Sequence, residues 1–358
     1  MENKDNKRNF FSIIIPCYNT KTENIQRLLR SIEDQNMSDD IEIIISNDRS
    51  TETDFLKVVE EYIDQNKLNI KIIDVPDDKD LIHCPGNTRE TGVSIATGEW
   101  ITFVDHDDEL ISDTFKDIKK MILRSEEQYV VSCNFYEVNP YDECKILNEF
   151  VHTGNWMHGK FYNLDNFWKA KNFHFKSDLQ THEDIYISCK TICELHRLNR
   201  ESPTYLEIFC LKWYAWKDST SRLLYNKAYF VERFFADYIK STIDFYLEDY
   251  IYAVNVLKDT SEKNVYDHIR SCIDVLMYLY FYVQGFKFRN PNNYVIENEF
   301  LAKLYVRKVY ETFGINADFI YECVIQNNSD WYNRVRDYAK IGAGNFIETY
   351  TFYDFLTK

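Results

Sequence analysis

No stretch of this sequence carries the roughly 18 consecutive apolar residues that a membrane span needs. The longest apolar run, Val275 to Val283, is about half that length and reads as a buried helix. The segment Met1 to Arg8 is polar, with neither an apolar signal core nor a small-residue cleavage site, so export by that route is not expected. Basic charge is also short: 42 Lys and Arg stand against 58 Asp and Glu, a net charge of -16. No overall positive field therefore draws the chain to a nucleic-acid backbone. The nine cysteines are an odd number scattered through apolar segments, unlike a secreted disulfide framework, and a reducing, cytosolic setting is expected. The sequence has no G-x-x-x-x-G-K-[ST] and no G-x-G-x-x-G, so kinase, ATPase and dinucleotide-oxidoreductase readings lack their phosphate cradle. It has no G-x-S-x-G to support a serine hydrolase, no internal repeat and no low-complexity stretch. What is present is 358 residues, 45% of them hydrophobic, enough to bury the core of one large domain or two ordinary ones.

From Phe10 to Val104, short β-branched runs alternate with longer amphipathic ones, which predicts β-α-β units and a parallel sheet. Strands are expected at Phe11 to Ile15, Glu42 to Ser46, Ile70 to Val75 and Trp100 to Val104. Helices are expected at Thr22 to Gln35, at Asp54 to Gln65, and at Asn87 to Thr97 with Gly98 as its C-terminal cap. Residues 129 to 222 read as short strands and loops rich in Trp, His, Asn and Asp, in keeping with an active-site wall. From about Leu223 the periodicity becomes helical and the segment is rich in Tyr and Phe. Ligands of open α/β sheets sit at the carboxyl ends of the strands, where Asn47-Asp48 and Asp105 to Asp108 fall.

Asp105-His106-Asp107-Asp108-Glu109 places four acidic residues in five positions directly after a buried strand. Like-charge repulsion makes such a turn costly when empty, and a divalent cation offsets it. Oxygen ligands point to Mg²⁺ or Mn²⁺. A solvated acidic turn is the plain alternative for an isolated D-x-D-D.

The acidic turn is the last of an ordered series. Ile13-Ile14-Ile15-Pro16-Cys17-Tyr18-Asn19 comes first, then Ile44-Ile45-Ser46-Asn47-Asp48-Arg49-Ser50-Thr51, then Gly86-Asn87-Thr88-Arg89-Glu90-Thr91-Gly92, then Ala96-Thr97-Gly98-Glu99-Trp100 leading into Phe103-Val104-Asp105. This order and spacing resembles the nucleotide-sugar-binding half of family-2 glycosyltransferases of the GT-A fold, closely over residues 10 to 120 and loosely over 130 to 222. The resemblance implies an α/β, Rossmann-like, mainly parallel sheet flanked by helices. Residues 1–222 would form the catalytic domain, 10–120 its donor half and 121–222 its acceptor half, and 223–358 a helical C-terminal region. It also implies that Pro16, Tyr18 and Asn19 form the first loop against the base, that Asp48 hydrogen-bonds uracil or ribose, and that Arg89 stands near base and phosphates. Asp105 would touch the ribose and Asp107 ligate the metal, the two together making the cation site, with Asp108 behind it and His106 setting loop geometry. Asn47 and Arg49 depart from the usual Asp and Gly of the second loop, leaving Arg49 able to reach a phosphate, and Glu90 replaces a frequent Asn.

Glu183-Asp184 resembles the family's second acidic motif, opening a helix beneath the acceptor. Inverting transfer needs one carboxylate opposite the leaving diphosphate, and Asp184 is expected to be that base with Glu183 as its neighbour. A charge placed to favour a helix N-terminus is the bland alternative. Trp156, His158 and Lys160 resemble the acceptor-side segment, and Trp213 with Lys217 and Arg222 resembles the segment that closes over the donor. Cys189, Cys193 and His196 have spacing that a metal cluster would use, but it is also the spacing of a buried helix face, which is the reading preferred here.

The expected activity is a cytoplasmic, Mn²⁺- or Mg²⁺-dependent inverting transfer from a nucleotide diphosphate sugar, a UDP-sugar above others, to a hydroxyl of a carbohydrate acceptor on a glycan or cell-surface polymer precursor. The C-terminal helices are expected to serve acceptor choice, homo-oligomerisation or contact with the inner membrane surface. Two other readings stay open. One is transfer to a protein or a modified nucleic acid, against which the many acids speak. The other is a non-catalytic nucleotide-sugar-binding or assembly protein, against which the retention of Asp107 and Asp184 speaks.

Overall fold

The computed structural model describes residues 8–77, 83–124, 128–153, 156–177, 179, 183–200 and 202–216. The expectations for the helical region 223–358, and for Lys217 and Arg222, lie outside these residues.

The described part is a curled mixed sheet with helices on its faces. β1 (Phe11–Cys17), β2 (Ile41–Asn47), β3 (Ile70–Asp74) and β4 (Trp100–Phe103) pair in the order β3-β2-β1-β4, all parallel. α1 (Thr22–Glu33), α2 (Asp54–Asp64) and α3 (Pro85–Ser94) are the crossovers. Every residue of β1 and β2 is buried, because helices cover both faces, and a strand buried on both faces reads as an uninterrupted apolar run. Ile13, Ile15, Ile43 and Ile45 join the cluster of Ile25, Leu28, Phe55 and Val59 from α1 and α2. On the other face Gly92 of α3 lies against Ile14 and Ile44, and a Cβ there would stand 2.5 Å from the Ile14 side chain.

The sheet continues through β8 (Lys160–Asn163), β6 (Val130–Asn139), β9 (Thr204–Tyr214) and β5 (Glu109–Leu110), with β7 (Asp142–Phe150) forming a hairpin on β6. β4 pairs β8 antiparallel, whereas β6 and β9 run parallel. α4 (Thr114–Ile122) precedes β6, a π-helical turn over Leu164–Lys169 follows β8, and α5 (Glu183–Arg197) precedes β9.

Two expectations need correction. The strands of the second half are long: β6 has 10 residues and β9 has 11. α3 ends at Ser94, so Gly98 does not cap it. Gly98 is needed where the chain turns into β4, since a Cβ there would sit 2.5 Å from Ser12 Oγ and 2.6 Å from Ser12 N. Among the described residues no helix is long and apolar enough to cross a membrane.

Candidate active site

The carboxyl ends of β1, β2 and β4 converge, and short polar contacts lock their loops together. Asn19 adopts a left-handed backbone (φ 45°), which Asn tolerates better than most residues. Its Oδ1 accepts from Thr51 N and Glu52 N at 2.9 and 3.0 Å, so it ties the loop after β1 to the loop after β2. Pro16 supplies its carbonyl to His106 Nδ1 at 3.2 Å, which places the proton on Nδ1 and joins the first loop to the acidic turn. Tyr18 is half-exposed, its ring 4.9 Å from that of His83.

Asp48 is buried at the end of β2, where Arg49 Nη2 donates to its Oδ1 at 2.8 Å and His83 Nδ1 stands 3.3 Å away. Arg49 has φ 55°, which explains why glycine suits this position. Its guanidinium grips Asp48. Asn47 donates to Asp74 Oδ1 at 2.7 Å, buttressing the same loop from β3. His83 is a member of this constellation that sequence reasoning missed, since a lone His in a polar stretch carries no spacing signal.

At the end of β4 the acidic side chains part company. Asp105 Oδ1 accepts from Arg89 Nη2 at 2.6 Å. Burial alone would raise the Asp105 pKa, but Arg89 and His158 outweigh it and hold the carboxyl well below its usual range. Asp107 and Asp108 move the other way: burial raises both, and their acidic neighbours add to it. The Asp107 carbonyl accepts from Arg27 Nη2 at 2.7 Å, and the Arg27 guanidinium lies 4.2 Å from the centre of the Tyr214 ring. Asp108 Oδ1 accepts from Tyr214 N at 3.2 Å, while its fully buried Oδ2 has no hydrogen-bond partner.

That oxygen faces His158. His158 Nε2 stands 3.8 Å from Asp108 Oδ2 and 3.7 Å from Asp105 Oδ2, and neither ring nitrogen makes a hydrogen bond. The three ligand atoms lie within 4.8 Å of one another. Convergent donors with an orphaned buried carboxylate oxygen among them suit a divalent cation, so the chemistry of the residues fits the metal that the acidic turn implies.

Arg89 links this turn to α5. Its buried guanidinium donates through Nη2 to Asp105 and through Nη1, in a very short contact, to Glu183 Oε1. Both arms are thus engaged by carboxylates. Burial raises the Glu183 carboxyl to about 7, Asp184 adding to the effect and Arg89 opposing it. Glu183 and Asp184 occupy the first turn of α5, where the helix dipole favours negative charge. Asp184 is only partly buried.

The remaining candidates sort by burial. Trp156, Trp213 and His158 form one aromatic wall with Phe135, the two indoles 5.5 Å apart and His158 5.6 Å from Trp213. Lys160 is wholly buried on β8, its Nζ 3.5 Å from Ser188 Oγ of α5. Glu90, unexplained from sequence, accepts from Phe175 N at 3.0 Å and anchors the segment leading to α5. Cys189, Cys193 and His196 belong to the α5 backbone, and their side chains lie outside the described set.

Residues 12–184 match the family model described as Glycosyl transferase family 2. Over that stretch, just under half of its length, the chain is similar to that family. The chain is 34% identical over 113 residues to the poly(ribitol-phosphate) beta-N-acetylglucosaminyltransferase TarS of Staphylococcus aureus, an alignment covering 31% of this chain and 18% of TarS. It is 33% identical over 101 residues to the GalNAc(5)-diNAcBac-PP-undecaprenol beta-1,3-glucosyltransferase of Campylobacter jejuni, covering 28% and 30%. The aligned stretch thus spans less than a third of either relative. The solved structure of S. aureus TarS 1–349 in complex with UDP-GlcNAc superimposes with a TM-score of 0.59 at 19% identity, covering 93% of this chain and 92% of that one. The fold of the described residues is GT-A.

Proposed function

We propose that this protein transfers a sugar from a UDP-sugar to a hydroxyl of a cell-surface polymer or its precursor, with inversion at the anomeric carbon. One observation carries the reading: Arg89 bridges the acidic turn after β4 to the Glu183-Asp184 pair that opens α5, so a donor-side carboxylate and an acceptor-side pair share one buried cation. The named relatives support the substrate class, since TarS is named for poly(ribitol phosphate) and the Campylobacter enzyme for an undecaprenol-linked glycan.

In this reading the base rests by Tyr18 and Asp48, and the diphosphate lies over the acidic turn. The Asp105 and Asp108 carboxylates would hold a divalent cation there, which would supply charge neutralisation for the departing diphosphate. Asp184, in the first turn of α5, takes the acceptor's hydroxyl proton. The acceptor oxygen forms its bond to the anomeric carbon as the bond to the phosphate oxygen breaks, and the electron pair leaves with UDP. Trp156 and Trp213 offer the apolar faces on which acceptor sugars stack.

Isothermal titration with UDP and GDP, with and without Mn²⁺, followed by a panel of UDP-sugars scored for hydrolysis, tests the proposal. Metal-dependent binding of UDP with slow turnover of one sugar is expected. Absence of binding to either nucleotide would overturn it.

A further inference from the structure

We infer that Arg27 of α1 is a positioning residue for the proposed transfer: it holds the peptide of the acidic turn in the shape that receives the donor's diphosphate. The inference rests on the proposed donor site and concerns what keeps that site in shape. Arg27 stands in an amphipathic helix far from every motif, and nothing in the sequence singles it out.

Three sets of contacts carry the assignment. Arg27 Nη2 donates to the Asp107 carbonyl at 2.7 Å and lies 3.4 Å from Asn24 Oδ1 of its own helix. A bond to the carbonyl fixes the peptide and leaves the Asp107 carboxylate free to serve the site. The guanidinium carbon lies 4.2 Å from the centre of the Tyr214 ring and 5.7 Å from that of Trp216, two rings inclined to each other by 24°. A planar cation over aromatic faces is held in orientation as well as in place. Tyr214 then returns to the turn, its N donating to Asp108 Oδ1 at 3.2 Å and its hydroxyl to Glu109 Oε2 at 2.7 Å. Asp107, Arg27, Tyr214 and Asp108 thus close a circuit drawn from α1, the turn after β4 and the end of β9, across chain separations of 80 and 106 residues.

The turn needs such a strut. Asp105, Asp107 and Asp108 crowd one short segment, and like charges held together drive a backbone to relax outward toward water. Arg27 is near enough to offset part of that charge at Asp107 and Asp108. With Nη2 on the carbonyl and its plane against two rings, the side chain braces the turn from behind.

Isothermal titration of UDP in the presence of Mn²⁺, with donor kinetics and urea unfolding on the same full-chain samples, tests this. Arg27→Met keeps an apolar stem against Tyr214 and removes the hydrogen bond and the charge. It should weaken UDP binding and raise the donor KM by about 10-fold, the weight of one hydrogen bond from a charged group, while the acceptor KM stays within about twofold. Arg27→Lys, which retains a cation over the ring and a donor for the carbonyl, should recover most of the loss. Tyr214→Leu carries the same prediction as Arg27→Met and decides the question where the Met variant folds poorly. The double variant should bind no more weakly than either single one, because both break one circuit. Unchanged UDP affinity in folded Arg27→Met, losses that add in the double variant, or losses that only follow the urea midpoint and are not recovered by Arg27→Lys would overturn the positioning role, while binding by the wild type upheld the donor site. No UDP binding by the wild type would overturn both.

Discussion

Glu183 and Asp184 are neighbours in sequence with different surroundings: Glu183 is buried against Arg89, whereas Asp184 is partly open in the same first turn of α5. In the proposed reading the less buried carboxylate, Asp184, is the one that meets the acceptor hydroxyl. Asp184→Asn should lower transfer by about 10²–10⁴-fold and leave the UDP dissociation constant within about twofold. Equal loss of donor binding would remove the base assignment. Glu183 makes a separate prediction through its protonation. Its carboxyl titrates at about 7 in the native protein against 4.5 ordinarily, burial being the main cause. Between those values the folded chain keeps a proton that the unfolded chain has lost. The resulting stabilisation is complete below about 4.5 and disappears as pH rises through 7. Urea unfolding of wild type and Glu183→Gln across pH 5 to 8 should therefore show wild type losing stability relative to the variant as pH increases. A difference that stays flat or grows in favour of wild type would contradict the burial argument.

At the scale of elements, the amino ends of the first strands are held by one buried acid. Glu42 of β2 accepts from Ser12 Oγ of β1 at 2.5 Å, from Thr97 N and Gly98 N before β4, and from Lys71 Nζ of β3 at 2.6 Å. Burial would raise its pKa, but these donors, Lys71 foremost, outweigh that and hold it low. Glu42→Ala should cost about 3 kcal/mol by urea unfolding, since it strands buried donors from three segments. The wild-type advantage should shrink as pH falls below the carboxylate range, because protonation removes the same contacts. Donor affinity of the folded variant should be unchanged, as Glu42 lies at the end of β2 remote from Asn47. An acid inside an apolar run gave no hint of this role beforehand. β1, β2 and β4 were legible because burial on both faces leaves continuous apolar runs. β6 and β9 read as shorter because buried polar Asn134 and Glu137, and exposed Glu207, interrupt them. α3 was overextended because Gly98 looks like a cap until its approach to Ser12 is seen.

For the whole molecule, what sequence could not supply is contact across long separations. The acidic turn and Glu183-Asp184 were visible as motifs, each local in the chain. Arg27 on the Asp107 carbonyl, 80 residues away, and Arg89 between Asp105 and Glu183 follow only from the sheet bringing their elements together. Those pairings also shape how the protein meets an anion. Arg49 is engaged by Asp48 and Arg89 by two carboxylates, while the chain as a whole carries a net charge of -16. A nucleotide diphosphate approaching without metal thus meets repulsion on a length scale that salt controls, about 30 Å at 0.01 M and about 8 Å at 0.15 M ionic strength. Metal-free UDP binding should tighten as NaCl is raised over that range, opposite to the behaviour of a nucleotide site built on unpaired basic side chains. With saturating Mn²⁺ the dependence should flatten, because in the proposed reading the cation would neutralise the charge where the diphosphate rests. Titration at fixed pH across the salt series decides it: metal-free binding that weakens with salt would mean that a local basic surface, and not the metal, receives the diphosphate.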